Sequence, residues 1–367
     1  MVVHLVCGAR PNFMKVAPLY HALKREPWAR PIIVHTGQHY DLNMSAAFFE
    51  DLRMPEPDIY LGVGSGTHAE QTAKVMTAYE KVLLGTRPDL VVVVGDVNST
   101  MAATVAAVKL GIRVAHLEAG LRSLDRRMPE EINRLVTDVL ADDLWTPSRD
   151  AVDNLTREGI APERIHFVGN IMIDSFEMLR SEIDKQRARL AFGLEAGGYG
   201  VVTLHRPSNV DDTVVLKKVC KLLEEVAVRL PLVFPIHPRT REKMRQHALL
   251  ARVEGCGRVL IPEPLSYVPF MSLVCDARLV ITDSGGIQEE TSYLGIPCLT
   301  LRQNTERPIT VTHGTNQLCS LDTLKEQIAE IVAAPLRVRR SIERWDGRTA
   351  DRIVELLRHR CAARASA

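Results

Sequence analysis

Val91-Val92-Val93-Val94-Gly95-Asp96 is four consecutive β-branched apolar residues, a glycine and then a carboxylate. A strand with one face in water alternates apolar and polar side chains; a strand covered by helices on both faces reads as an unbroken apolar block. The stretch therefore predicts an inner strand of a parallel α/β sheet. Its acid falls at the strand's C-terminal end, where such sheets bind ligands. Outward from it, similar runs lie near 2–7, 31–36, 112–117 and 165–168, then near 200–204, 231–236, 258–261, 278–282 and 297–301. Amphipathic segments separate them. Leu216, Val219, Leu223, Val226 and Leu230 step by three and four, as do Ile132, Leu135, Val136 and Val139, the period of an α-helix.

Alternation of this kind implies right-handed βαβ units on parallel sheets, and two sets of about five strands imply two doubly wound α/β domains. At roughly 150 residues per domain, a chain of 367 residues agrees. The expected division is 1–172 and 173–345, with the join inside 170–195. There a charged helical stretch, Asp174 to Leu190, is followed by Gly193, Gly197 and Gly198. The remaining 346–367 carries a helix, Asp351 to Arg360, that fits on either domain.

A hydrophobic fraction of 46% and a charged fraction of 25% are ordinary for a soluble globular protein. A net charge of +1 argues against a nucleic-acid or anionic-membrane partner, so any anion must be met by local basic residues. The seven cysteines are scattered, odd in number and without metal-type spacing, which fits reduced thiols in a cytoplasmic protein. No apolar stretch approaches the ~20 residues needed to span a bilayer. Met1 to Cys7 reads as a first strand rather than a signal segment.

Acids and histidines recur where apolar runs end. Glu118 follows Val114-Ala115-His116-Leu117, His205 and Arg206 follow Val201-Val202-Thr203-Leu204, and His237 follows Leu232-Val233-Phe234-Pro235-Ile236. Glu130 and Glu131 open a helix in Met128-Pro129-Glu130-Glu131-Ile132-Asn133-Arg134. By the strand-end rule these groups are expected to converge on one cleft. Asp96 and Glu118 at neighbouring strand ends suit proton transfer, which needs an acid beside a base. The plainer alternatives make Asp96 an N-cap, Glu118 a partner of Arg122, the two glutamates first-turn helix acids, and the histidines neutral core residues.

Arg278-Leu279-Val280-Ile281-Thr282-Asp283-Ser284-Gly285-Gly286-Ile287-Gln288-Glu289-Glu290 reads as strand, glycine turn and helix. Gly285 and Gly286 let backbone amides approach a ligand, and a helix N-terminus attracts phosphate; Ser284 as an ordinary N-cap is the alternative. Glu290, one turn in, repels phosphate but suits two vicinal hydroxyls such as those of a ribose. Arg307 is a further diphosphate candidate, unless it is simply solvated. Arg10 and Lys15, in Gly8-Ala9-Arg10-Pro11-Asn12-Phe13-Met14-Lys15, place two cations at the opposite lip. The glycines of a Walker A loop or a dinucleotide fingerprint are missing, which disfavours NAD. No zinc-type pairing is present, and no metal is expected.

These residues form a recognisable series. Gly8-Ala9-Arg10-Pro11 with Lys15, Gln38-His39, Gly95-Asp96, Glu118-Ala119-Gly120-Leu121-Arg122, Pro129-Glu130-Glu131 with Asn133-Arg134, His205-Arg206, the block Asp283 to Glu290 and Thr305-Glu306-Arg307-Pro308 occur in order. Over about residues 1–345 the chain resembles the non-hydrolysing UDP-N-acetylglucosamine 2-epimerases. The resemblance implies a glycosyltransferase-B-like architecture of two Rossmann-like domains, a cleft between them that opens and closes, and a homodimer. It implies interconversion of UDP-N-acetylglucosamine and UDP-N-acetylmannosamine without NAD or metal, supplying cell-surface polysaccharide precursors. UDP leaves across C1–C2 to give a 2-acetamidoglucal and is then added back with protonation of the opposite face of C2.

By the same likeness, Asp96, Glu118, Glu130 (rather than Glu131) and His205 are catalytic. Arg10, Lys15, Arg307 and the Gly285 and Gly286 amides meet the diphosphate. Ser284 and Glu290 contact UDP, Phe270 lies near the uracil, and Arg206 and His237 line the cleft. Two departures bear on the substrate. Ser208 replaces the glutamate of the commoner His-Arg-x-Glu-Asn pattern, and Gln38-His39-Tyr40-Asp41 differs from the Gln-His-Arg of members activated by a second UDP-sugar. The alternatives are a 2-epimerase of a 2,3-diacetamido or deoxy UDP-sugar, a hydrolysing 2-epimerase, a glycosyltransferase of the same fold, and a non-catalytic nucleotide-sugar sensor.

Overall fold

The computed structural model describes residues 1–37, 51–334 and 341–365; Gln38, His39, Tyr40 and Asp41 of the sequence analysis lie outside them. The chain divides into two units, one formed by Met1–Met178 with Glu343–Ala367 and the other by Leu179–Ile342.

In the first unit seven parallel strands stand in the order β3-β2-β1-β4-β5-β6-β7. They are β1 Val2–Cys7, β2 Arg30–His35, β3 Ile59–Tyr60, β4 Leu90–Val94, β5 Val114–Leu117, β6 Asp143–Thr146 and β7 Ile165–Phe167. The valine block is β4, buried at every residue and flanked by β1 and β5. With neighbours on both edges and helices on both faces, it has no solvent side to carry a polar residue. The chain winds outward through β1, β2 and β3, then returns beside β1 at β4, so the strand order reverses between them. Such reversals are where open α/β sheets bind their ligands.

The second unit repeats the plan with six parallel strands ordered β10-β9-β8-β11-β12-β13. They are β8 Gly200–Thr203, β9 Leu232–Val233, β10 Val259–Leu260, β11 Leu279–Thr282, β12 Cys298–Leu301 and β13 Asn316–Cys319. Its reversal lies between β8 and β11. The Thr213–Ala227 helix buries the stripe read from its spacing, with Leu216, Val219, Leu223 and Val226 in the same core as Val202 and Ile281. Three strands lay below the threshold of the apolar-run reading: β3 has two residues, and β6 and β13 open on the polar Asp143 and Asn316. Both units are doubly wound α/β, the expected class.

The Pro129–Leu140 helix departs from its own pattern. Its buried residues are Glu131, Asn133, Arg134, Thr137 and Asp138, whereas Ile132, Val139 and Leu140 are exposed. The polar stripe faces inward because it meets polar partners there, described below. After β7 the chain forms the Ile171–Met178 helix and crosses into the second unit; on its return Trp345 Nε1 donates to the Pro147 carbonyl at 3.0 Å. The closing helix, Thr349–Ala365, packs on the Arg10–Lys24 and Ile171–Met178 helices, and Asp174 Oδ1 accepts the Ala350 N–H at 2.8 Å. Among the described residues no helix is long and apolar enough to cross a membrane.

The turn after β5 is tightly constrained. Glu118 has φ 71° and Gly120 φ 81°, and a Cβ on Gly120 would stand 2.4 Å from the Ala151 carbonyl oxygen. Gly120→Ala is expected to cost about 2–4 kcal/mol of stability, combining left-handed strain with a backbone clash. Thermal unfolding of the variant measures this; an unchanged Tm would mean that the Arg149–Arg157 helix, which carries Ala151, moves away freely.

Candidate active site

In the first unit Asp96 follows β4 and Glu118 follows β5, beside the turn after β1. Helix Arg10–Lys24 begins directly after β1, and its Asn12 accepts the N–H groups of Gly8 and Ala9 at 3.0 and 2.9 Å and donates to the Val94 carbonyl at 3.1 Å. That ties the turn after β1 to the end of β4. One helical turn further, Lys15 is buried and pairs with Glu118, so the cation and the second carboxylate belong to one pair. Glu118 is itself buried, and its Oε1 has no hydrogen-bond partner among the described residues. An unpartnered buried carboxylate oxygen is costly and marks a place for a polar group. Arg122, the sequence-level alternative partner of Glu118, instead pairs with Asp138 and Glu158. Arg10 opens its helix; its side chain lies outside the described residues.

Asp96 follows β4 but does not cap the next helix: Asn98–Lys109 has Val97 at its N-cap and no side-chain cap bond. Its Oδ2 instead receives Arg134 Nη2 at 2.6 Å and Nε at 3.1 Å, and Asn133 Nδ2 donates to its carbonyl at 2.8 Å. The Asp96 side chain is about one-third exposed while Arg134 is buried, so the pair holds a reachable carboxylate on a fixed base. The adjacent glutamates have opposite roles. Glu131 accepts from Ser123 N and Oγ, both at 3.0 Å, from Leu124 N at 2.9 Å, and from Arg134. The Glu130 side chain makes no hydrogen bond among the described residues and is half-buried in the helix's first turn. Of the two, Glu130 has an uncommitted carboxylate.

In the second unit Asp283 organises the loops after β8 and β11. It is fully buried and accepts from His205 N, Arg206 N at 2.9 Å and Asn209 Nδ2 at 3.0 Å, while His205 Nδ1 stands 3.1 Å from its Oδ1. Burial pushes its carboxyl up, but these donors, with His205 foremost, hold it below the ordinary carboxylate range. A histidine that gives Nδ1–H to a buried carboxylate presents Nε2 outward, and the His205 side chain is 42% exposed. His237 caps its helix by accepting Arg239 N at 3.2 Å on Nδ1, its ring 5.7 Å from that of His205. Burial, then the neighbouring His205 and Arg239, lower its pKa, which favours the neutral ring. Arg206 Nε donates to the Asp283 carbonyl at 3.0 Å. Asp283 had no assigned role at the sequence level, although its place between a strand end and a glycine turn was the available signal.

Ser284 sits at the N-cap of the Gly285–Leu294 helix without a side-chain cap bond, so no side chain closes that N-terminus. A Cβ on Gly286 would meet nothing within 4 Å; one on Gly285 would stand 2.6 Å from Glu306 Oε1 and 2.7 Å from Arg307 Nη1. Arg307 thus lies against the turn, buried and paired with Glu289 at 2.9 Å and Glu306 at 2.5 Å. It is not the solvated loop residue of the plain alternative. Glu290 accepts the Tyr267 hydroxyl at 2.6 Å. Phe270, in the same Tyr267–Asp276 helix, is half-buried. Among the described residues no cluster of histidine, cysteine and acidic side chains could hold a metal ion.

The UDP-N-acetylglucosamine 2-epimerase family model matches residues 21–358. The chain is 40% identical over 366 residues to a UDP-N-acetylglucosamine 2-epimerase of Methanocaldococcus jannaschii, covering 97% of this chain and 99% of that protein. It is 41% identical over 322 residues to a UDP-2,3-diacetamido-2,3-dideoxy-D-glucuronate 2-epimerase of Pseudomonas aeruginosa, covering 87% and 88%. The crystal structure of the Methanocaldococcus jannaschii enzyme in complex with UDP-GlcNAc and UDP matches with a TM-score of 0.89 at 39% identity, over 98% of this chain and 100% of that one.

Burial pushes the Glu290 carboxyl up to about 7; the Tyr267 hydroxyl opposes this and Glu289 adds to it. The fold therefore favours the protonated form, and the associated stability is present below the ordinary carboxylate range and lost as pH rises through about 7. Glu290→Gln removes that dependence. Its Tm relative to the parent is expected to rise between pH 5 and pH 8.5 by several degrees, corresponding to roughly 3 kcal/mol. An equal difference at both pH values would place Glu290 in a wetter setting.

Proposed function

Because the chain belongs to the UDP-N-acetylglucosamine 2-epimerase family, we propose that it interconverts UDP-N-acetylglucosamine and UDP-N-acetylmannosamine. A carboxylate removes the C2 proton, the C1–oxygen bond breaks with its electron pair leaving on UDP, and a 2-acetamidoglucal remains. UDP then adds back to C1 as a proton is delivered to the opposite face of C2. The observation that supports this reading is three acids of the first unit in three different settings. Asp96 is held by Arg134, Glu118 is buried with Lys15 and keeps one oxygen unpartnered, and Glu130 is uncommitted. Inversion at carbon needs proton carriers on two faces, and carboxylates held in different environments take different roles.

For the same UDP-sugar the second unit supplies the nucleotide contacts. The uncapped helix start at Ser284, Gly285 and Gly286 meets the diphosphate, with Arg206, His205, His237 and Arg307 beside it. Glu290 takes the ribose hydroxyls and Phe270 the uracil. The reaction calls for no NAD or metal. The enzyme works in the cytoplasm and supplies precursors of cell-surface polysaccharide. It acts as a homodimer, a reading supported by the apolar stripe of Ile132, Val139 and Leu140, which no element of the chain covers among the described residues. A UDP-2,3-diacetamido sugar is the second reading, favoured by Ser208, a small neutral residue in place of the family's commoner glutamate.

Proton NMR in D₂O with UDP-N-acetylglucosamine is expected to show deuterium at C2 and growing UDP-N-acetylmannosamine. Exchange only with the diacetamido sugar selects the second reading, free N-acetylmannosamine with UDP identifies a hydrolysing enzyme, and no exchange with either overturns the epimerase assignment. Asp96→Asn should keep UDP affinity and lose turnover by a factor on the order of 10² or more; unchanged turnover removes Asp96 from the mechanism. Light scattering of Val139→Glu should report a monomer where the parent is a dimer; a dimer in both would exclude this stripe from the interface.

A further inference from the structure

Beneath the turns that carry Asp96 and Glu118 lies a buried group for which the proposed reaction has no role. His116, in β5, has no exposed surface. Its Nε2 stands 2.8 Å from the Gly95 carbonyl oxygen and its Nδ1 2.6 Å from Asp138 Oδ1. A carbonyl only accepts, so Nε2 carries a proton. Asp138 is bound at its other oxygen by two donors, Arg122 Nη1 at 2.7 Å and Gly120 N at 3.1 Å. Both ring nitrogens of His116 thus face a fixed partner, one in the Asp96 turn and one bonded to the Glu118 turn. A histidine that merely filled the core would need only one.

The connections run to both turns. Gly95 is the residue before Asp96, and Gly120 lies two after Glu118. We infer that His116, held between the Gly95 carbonyl and Asp138, is a positioning residue that fixes the Asp96 and Glu118 turns relative to each other. The surrounding charges are paired: Arg122 also binds Glu158 at 2.7 Å, Arg134 binds Asp96, and Lys15 binds Glu118. The positioning role rests on the reading of Asp96 and Glu118 as the proton-transfer groups; the hydrogen bonding of His116 does not.

Two measurements test these parts separately. In protein labelled with ¹⁵N-histidine, ¹H–¹⁵N correlation spectra are expected to show a hydrogen-bonded ring N–H shielded from solvent exchange. That resonance should vanish in His116→Gln. A spectrum in which no protected ring N–H is lost on that substitution overturns the inference, whatever the enzyme's substrate. In turnover, His116→Gln is expected to lower kcat by roughly 10- to 100-fold, the scale of a small misplacement of catalytic groups, with KM within about twofold. A loss of kcat that only tracks a loss of folded protein by circular dichroism would reduce His116 to a structural residue, and an unchanged kcat would end the positioning role.

Discussion

Arg134, almost wholly buried, joins Glu131 on its own helix to Asp96 at the end of β4, and much of the first unit is arranged around that contact. An isolated buried charge costs several kcal/mol, and its partners offset that cost only with good geometry and further hydrogen bonds. The Pro129–Leu140 helix meets the condition by presenting its whole polar stripe inward. Glu131 takes the 123–124 loop, Asn133 takes the Asp96 carbonyl, Arg134 takes the Asp96 carboxylate, and Asp138 takes His116, Arg122 and Gly120. Apolar residues would fill that space with comparable stability, since buried ion pairs seldom exceed hydrophobic replacements. What a polar interface adds is direction: each bond allows one position for the turn it holds.

The same economy of charge recurs in the second unit with different residues. Asp283 gathers the backbone of His205 and Arg206 and sets the tautomer of His205. A buried series, Arg302 to Glu306 to Arg307 to Glu289, packs under the Gly285 turn and closes the space a side chain there would need. The helix start above that series has no side-chain cap of its own. A helix N-terminus left without a cap is a standing attraction for an anion.

The architecture was legible because parallel strands buried on both faces leave a predominantly apolar signal, unbroken in β4 and interrupted by single polar residues such as His4 in β1 and His116 in β5. β3, β6 and β13 were not, since two residues or a leading Asp or Asn fall below any run-length criterion. The helix at 129–140 was read correctly as a helix, but its apolar spacing gave no indication of which side faces in. Glu131, Arg134 and Asp138 repeat at i, i+3 and i+7 as regularly as Ile132, Leu135, Val136 and Val139 do. Periodicity finds two faces; only the partners decide which is buried. For the same reason strand-end chemistry pointed to Asp96 and Glu118, while Asp283, Asp138 and His116 acquire meaning only through residues remote in sequence.

Glu130 and Glu131 show how position separates identical side chains. Successive residues on a helix point about 100° apart, so when Glu131 is drawn inward to the 123–124 loop and Arg134, Glu130 cannot share those partners. The structural glutamate is satisfied four times over, while its neighbour is left half-buried with no side-chain bond. A carboxylate fully committed to the fold has little capacity left to exchange a proton; one fixed at its backbone and uncommitted at its oxygens keeps that capacity. The fold thus places the second glutamate in order to present the first, and the difference lies in the bonds that Glu130 leaves unmade.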